Sequence, residues 1–388
     1  MLINIQFLRF AAALAVVLFH AAAFLPEPAF WSRAAQAVGF AGVDIFFVIS
    51  GFIMAYTTRH AEGSEIAGAF LKRRLARIFT GYWPYLLLAL LLLYWTDPAL
   101  LARKDLLGSL LLLPLPIPER VIPVSWTLTY ELYFYLLFFL LLLLPAWLGR
   151  LAIPLLAALL ILVNLLGVLW FDLYSPAFFQ QTSGWLRLLL SPYTLEFLAG
   201  TLVCRLYLAG VRGLLWPALL LGGLLFGLGG WYNHSVLQGG LESGRHVVER
   251  VLLFGSAAAL LVYGAAGLEG RGLRLWPVFS RLFGGASYSL YLSHTLLLGL
   301  FGYIARQYHL GEWLPLALLG WVGMILGYSL LHYLAIEVPF YRLARRLLGV
   351  SAPAQAPPRP LPAVERADLT GLKELSGFAT APTRPDRS

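Results

Sequence analysis

Long apolar runs separated by short polar stretches set the pattern of this chain. Runs such as Leu86 to Leu93 and Leu136 to Leu144 are entirely apolar. A bilayer core of about 30 Å takes roughly 20 apolar residues per helix. Ten segments meet that length: 5–25, 39–57, 79–96, 125–145, 151–170, 191–208, 213–231, 247–265, 284–304 and 314–334. Leu106 to Pro118 is also apolar but short, and Pro114, Pro116 and Pro118 break it; it reads as an interfacial or re-entrant piece. The runs lack the in–out alternation of an outer-membrane barrel. The pattern therefore predicts an all-α, polytopic integral membrane protein with about ten transmembrane helices.

Composition agrees and removes other classes. Of 388 residues, 60% are apolar and 12% charged, with a mean hydropathy of +0.77. Soluble domains carry about 25% charged residues, so a soluble enzyme, a disordered chain and a nucleic-acid binder are all poor fits. The lone Cys204 excludes an intrachain disulfide and a thiolate metal cluster, and no other motif predicts a metal. The net charge of +9 belongs to loops at a membrane surface. With the N-terminus in the cytoplasm, 20 of the 28 Lys and Arg residues fall on the inner side, which sets both termini there. Ala21-Ala22-Ala23 resembles a signal-peptidase site, but the basic leader is missing, so the first helix is expected to be retained. Residues 1–346 read as the membrane domain, and 347–388 as a Pro-rich, disordered cytoplasmic tail.

An ionisable group inside a span is costly, and each is a site candidate. These are Arg9, His20, Asp44, Glu131, Glu196, Glu249, Arg250 and His294. Arg9 and His20 are eleven residues apart, three helical turns or about 16 Å on one face. Counting from the helix ends puts Asp44, Glu131 and Glu196 near the depth of His20, as one polar layer in the outer half. Thr127, Glu131 and Tyr135 form one stripe, and Ser287, Tyr291 and His294 another. Asp44, Glu196 and His294 also suit simple helix–helix hydrogen bonds. Glu249-Arg250 reads as an ion pair at a helix start. Lys72-Arg73-Arg74-Leu75-Ala76-Arg77 suffices as inner-side anchoring, and Arg74 with Arg77 also suits an anion clamp.

These residues resemble the membrane acyltransferase-3 family. Asn4 to Arg9 followed by Val16 to His20 is similar to the family's opening, a basic residue and a His spaced along the first helix. Gly42-Val43-Asp44-Ile45-Phe46-Phe47-Val48-Ile49-Ser50-Gly51-Phe52 resembles its second-helix signature, and Arg74-Leu75-Ala76-Arg77 its RxxR motif. Ser125 to Tyr135 resembles its W-S/T-L-x-x-E-x-x-F-Y segment; Ser287 to His294 and Glu337-Val338-Pro339 also fit. The motifs fall in order over residues 3 to about 346. The resemblance implies transfer of an acyl group, usually acetyl, from cytoplasmic acyl-CoA to a sugar hydroxyl of a cell-surface polysaccharide or lipid-linked glycan, in a bacterial inner membrane. It implies the stand-alone form, without an extracytoplasmic domain, which either completes transfer or passes the acyl group to a polysaccharide-assembly partner.

Carried onto this sequence, the resemblance makes His20 the catalytic base or acyl carrier. Glu131 is its expected orienter and Asp44 the second choice. Arg9, Arg73, Arg74 and Arg77 are expected to bind acyl-CoA, a co-substrate and not a tightly held cofactor. Ser50, Trp126, Tyr133, Tyr135, Glu196, Tyr291 and His294 are expected at the acceptor site or in its support. A secondary transporter or flippase for a glycan or lipid is the alternative, because buried His and carboxylates also couple protons.

Overall fold

A computed structural model describes residues 2–25, 30–59, 64–171, 173–175, 178, 181–242 and 246–350. The tail beyond Val350 lies outside the described residues. Among the described residues the secondary structure is helical throughout, and ten helical segments are long and apolar enough to cross a membrane. We number the principal helices α1 (Ile3–Ala22), α2 (Gly42–Thr57), α3 (Ser64–Thr96), α4 (Trp126–Leu143), α5 (Ala146–Trp170) and α6 (Tyr193–Leu208). They continue with α7 (Leu215–Ser235), α8 (Ser256–Gly270), α9 (Pro277–Gln307), α10 (Leu314–His332) and α11 (Val338–Leu347).

The expected spans are all present, and their ends differ where polar residues continue a helix. α3 starts at Ser64 instead of residue 79, so the basic run Lys72 to Arg77 lies within it. Lys and Arg are good helix formers; only the bilayer ruler had excluded them. At 33 residues α3 is about 50 Å long, well beyond a 30 Å core. The last span does not end near residue 334. It passes through a π-helical turn, Tyr333–Glu337, directly into α11. A second π turn, Val251–Gly255, joins the short helix Val247–Arg250 to α8.

Side chains fix how the helices meet. Asn4, fully buried, donates to the carbonyls of Ala265 (3.0 Å) and Leu273 (2.9 Å) and accepts from Leu275 N–H (2.8 Å). Its own backbone N–H donates to Glu269 at 2.8 Å, so a carboxylate sits at the positive end of α1. The start of α1 is thereby tied beside the start of α9, and the two run parallel. α2 crosses α6 at two glycines: a Cβ on Gly51 would stand 1.9 Å from the Phe197 carbonyl oxygen, and one on Gly200 1.9 Å from that of Val48. Such close backbone approach is how membrane helices gain packing energy. Leucines on the outer faces, such as Leu220 and Leu224, remain exposed for lipid.

Leu106 to Pro118 folds as a short piece packed on α3 and α4. Helix Leu106–Leu110 is capped by Asp105, and Tyr82 of α3 donates to the Ser109 carbonyl at 2.8 Å. Arg120 is buried, donating to the Leu115 carbonyl (3.1 Å) and Thr129 Oγ1 (3.0 Å). Burial pushes its guanidinium down to about 10.

Candidate functional site

The parallel register of α1 and α9 brings two imidazoles together. His20 and His294 each lie seventeen residues into their helices. Their rings are 4.9 Å apart between centroids, with His294 Nε2 3.3 Å from His20 Nδ1. His20 Nδ1 is also 2.9 Å from the Val16 carbonyl. A carbonyl only accepts, so the network places the proton of neutral His20 on Nδ1 and leaves the lone pair on Nε2. That is the protonation pattern a general base needs. His294 is fully buried and His20 half-buried. Tyr291, one turn before His294, packs on it at 5.7 Å and is anchored by a hydrogen bond from Thr127 Oγ1 (3.1 Å) and one to the Val124 carbonyl (3.2 Å).

Three turns towards the start of α1, Arg9 belongs to a second polar group. It hydrogen-bonds Gln6 Oε1 at 3.4 Å and lies within electrostatic reach of Glu131, Arg77 and Glu337. Among the described residues Arg9 forms no ion pair. Glu131 accepts from Ser50 Oγ (3.2 Å) and from Tyr135 OH (3.4 Å), with Arg74 also near. Arg74 reaches Thr57 Oγ1 at 3.1 Å, and its guanidinium stands over Tyr135. Arg77 pairs with Glu337 at 2.5 Å, and Glu337 also accepts from Ser289 Oγ at 2.6 Å. Ser289 Oγ in turn lies 3.2 Å from His332 Nδ1, and Tyr85 stacks on His332 at 4.2 Å.

The single polar layer expected from helix counting therefore divides into separate groups. Glu131 sits with Arg9, Ser50 and Tyr135; among the described residues the hydrogen-bonding partners of His20 are Val16 and His294. Asp44 is committed elsewhere. Arg250 donates to it through Nε (3.0 and 3.2 Å) and Nη2 (2.7 Å), with both side chains buried. This overturns the expected Glu249–Arg250 pair, because Glu249 turns instead to His246 at 3.1 Å. Glu196, also fully buried, stands beside the Asp44–Arg250 pair. Trp126 joins Phe47, Tyr130 and Tyr193 in an aromatic cluster, and Tyr133 faces Thr194. Arg73 faces Tyr341 and Arg345 of α11.

Sequence reasoning left out His332, an ionisable group inside the last expected span, and gave Ser289 no role. It noted Glu337 only as part of a motif, because the span was ended before it.

A helical bundle that holds a His pair, with Arg9 three turns away and Arg77 near it, suits group transfer inside a membrane. The model of the acyltransferase domain of the acyltransferase-3 family matches residues 2–332. The chain belongs to that family and is a multi-pass membrane acyltransferase. It is 30% identical over 321 residues to the exopolysaccharide production protein ExoZ of Rhizobium meliloti (strain 1021), covering 79% of this chain and 91% of that protein. No solved structure matches.

Proposed function

We propose that this protein transfers an acyl group, acetyl in the simplest case, from cytoplasmic acyl-CoA to a sugar hydroxyl of an exopolysaccharide or its lipid-linked precursor. The bacterial inner membrane is the setting, with both termini cytoplasmic. The observation that carries the reading is the His20 ring, held by the Val16 carbonyl with Nε2 free to accept a proton. The name of the related exopolysaccharide production protein supports the acceptor class.

The thioester is already activated, so the chain has only to position and to move one proton. Arg74 and Arg77 face the CoA end, and Arg9, without a carboxylate partner of its own, lies between them and His20. His20 Nε2 takes the hydroxyl proton as the sugar oxygen attacks the thioester carbonyl. The C–S bond then breaks, the thiolate collects the proton, and CoA and the ester are released. His294 holds the His20 ring from the far side.

Purified protein supplied with labelled acetyl-CoA and exopolysaccharide precursor tests this directly. His20→Ala should lose about 10²–10⁴-fold in label transfer while still eluting as a folded protein. Unchanged transfer by the variant rejects the role of His20, and no transfer to any sugar by wild type rejects the function.

A further inference from the structure

The π turn Tyr333–Glu337 re-phases the end of the chain, so that Glu337, Tyr341 and Arg345 fall at i, i+4 and i+8 on one face. That face lies on α3, where Arg73 and Arg77 form a matching i, i+4 pair. Arg77 and Arg345 both stand over the Tyr341 ring, at 5.8 and 5.6 Å from its centroid. Arg73 lies within electrostatic reach of Tyr341, Arg74 and Arg345. Among the described residues the carboxylate paired with this group is Glu337, which holds Arg77 and accepts from Ser289.

Ordinary inner-side anchoring does not account for Arg345. Anchoring residues point to water or headgroups, as the exposed Arg342 and Arg346 of the same helix do. Arg345 instead turns inward, and its Nε is buried with no hydrogen-bond partner in the structure. A buried donor of this kind is costly unless a ligand meets it, and gathered guanidinium groups meet phosphate best.

We propose that Tyr341 and Arg345 of α11 complete, with Arg73 and Arg77, a binding site for a phosphate ester. The same chemistry is offered by the phosphates of acyl-CoA and by an anionic phospholipid headgroup; naming acyl-CoA rests on the function proposed above. Glu337 holds Arg77 in place.

Full-length protein in nanodiscs separates the two sources. In the first arm, acetyl-CoA and its 3′-dephospho analogue are titrated against wild type, Arg345→Ala, Arg345→Lys and, as a surface control, Arg342→Ala. Arg345→Ala should weaken acetyl-CoA binding about tenfold, the worth of one charge-assisted hydrogen bond. It should also bind the two nucleotides more nearly alike than wild type does. Arg345→Lys should fall between, and Arg342→Ala should stay within twofold. In the second arm, melting is compared in phosphatidylglycerol and phosphatidylcholine discs. If acetyl-CoA binding is unchanged but Arg345→Ala removes the stabilisation by phosphatidylglycerol, the site is real and a lipid fills it. If Arg345→Ala and Arg345→Lys both match Arg342→Ala in both arms, the site is overturned. Wild type that ignores acetyl-CoA yet responds to phosphatidylglycerol through Arg345 refutes the proposed function and leaves the phosphate site standing.

Discussion

His20 owes its readiness to a backbone atom. The Val16 carbonyl one turn back sets the tautomer, and His294 limits ring rotation. His294 is thus a positioning residue. His294→Ala should lower kcat about 10²-fold, the order of loss for a reacting group misplaced by an ångström, with KM for acetyl-CoA within twofold. His294→Gln, whose amide oxygen can still accept from His20, should recover part of it. A KM change as large as the kcat change would contradict this role. The sequence made both histidines candidates but not a pair, since His20 lies fifteen residues beyond the start of its apolar run at residue 5 and His294 only ten beyond residue 284. Helix α9 starts at Pro277, seven residues earlier than its apolar run suggests, and that offset equalises their depths. Asp44 was legible as a buried acid; its guanidinium partner, 206 residues away, was not.

Between elements, the decisive joints are polar or bare. Arg250 grips Asp44 through two nitrogens, tying α2 to the segment that leads into α8. Removing one partner strands the other charge, which typically costs about 3–5 kcal/mol. Asp44→Ala should therefore lower the melting temperature sharply, and Arg250→Met added to it should restore much of the loss. A double variant no better than the single one would show that the pair is not the source of the stability. The helices themselves were easy to read, because an apolar run of about 20 residues has few alternatives in a bilayer. Their ends were not. The basic run Lys72 to Arg77 of α3 and the π turns lie where hydropathy falls but helical propensity does not. Nothing in the apolar pattern marked Gly51 and Gly200 as facing each other; only the crossing of α2 and α6 does.

At the scale of the molecule, the arginine groups of α1, α3 and α11 share one end of the bundle, and the His pair lies towards the other. Donor and acceptor would then approach from opposite sides of one membrane. In a Cys204→Ser background, Arg342→Cys should react with an impermeant thiol reagent only from the cytoplasmic side, and Glu312→Cys only from the outside. Both positions are exposed, so reaction of both from one side would refute the orientation. Charge counting predicts this sidedness from sequence alone, because it depends on totals and not on contacts. The link between α3 and α11 needed the three-dimensional structure, since it joins residues some 260 positions apart.

The π turn before α11 is one residue wider than an α-helical turn. Each residue advances an α-helix by about 100°. Rewinding that turn as α-helix without removing a residue would swing Tyr341 and Arg345 about a quarter-turn around the axis, away from α3. The hold of this enzyme on a charged ligand thus depends on the phase of its last helix, which no inventory of its side chains would reveal.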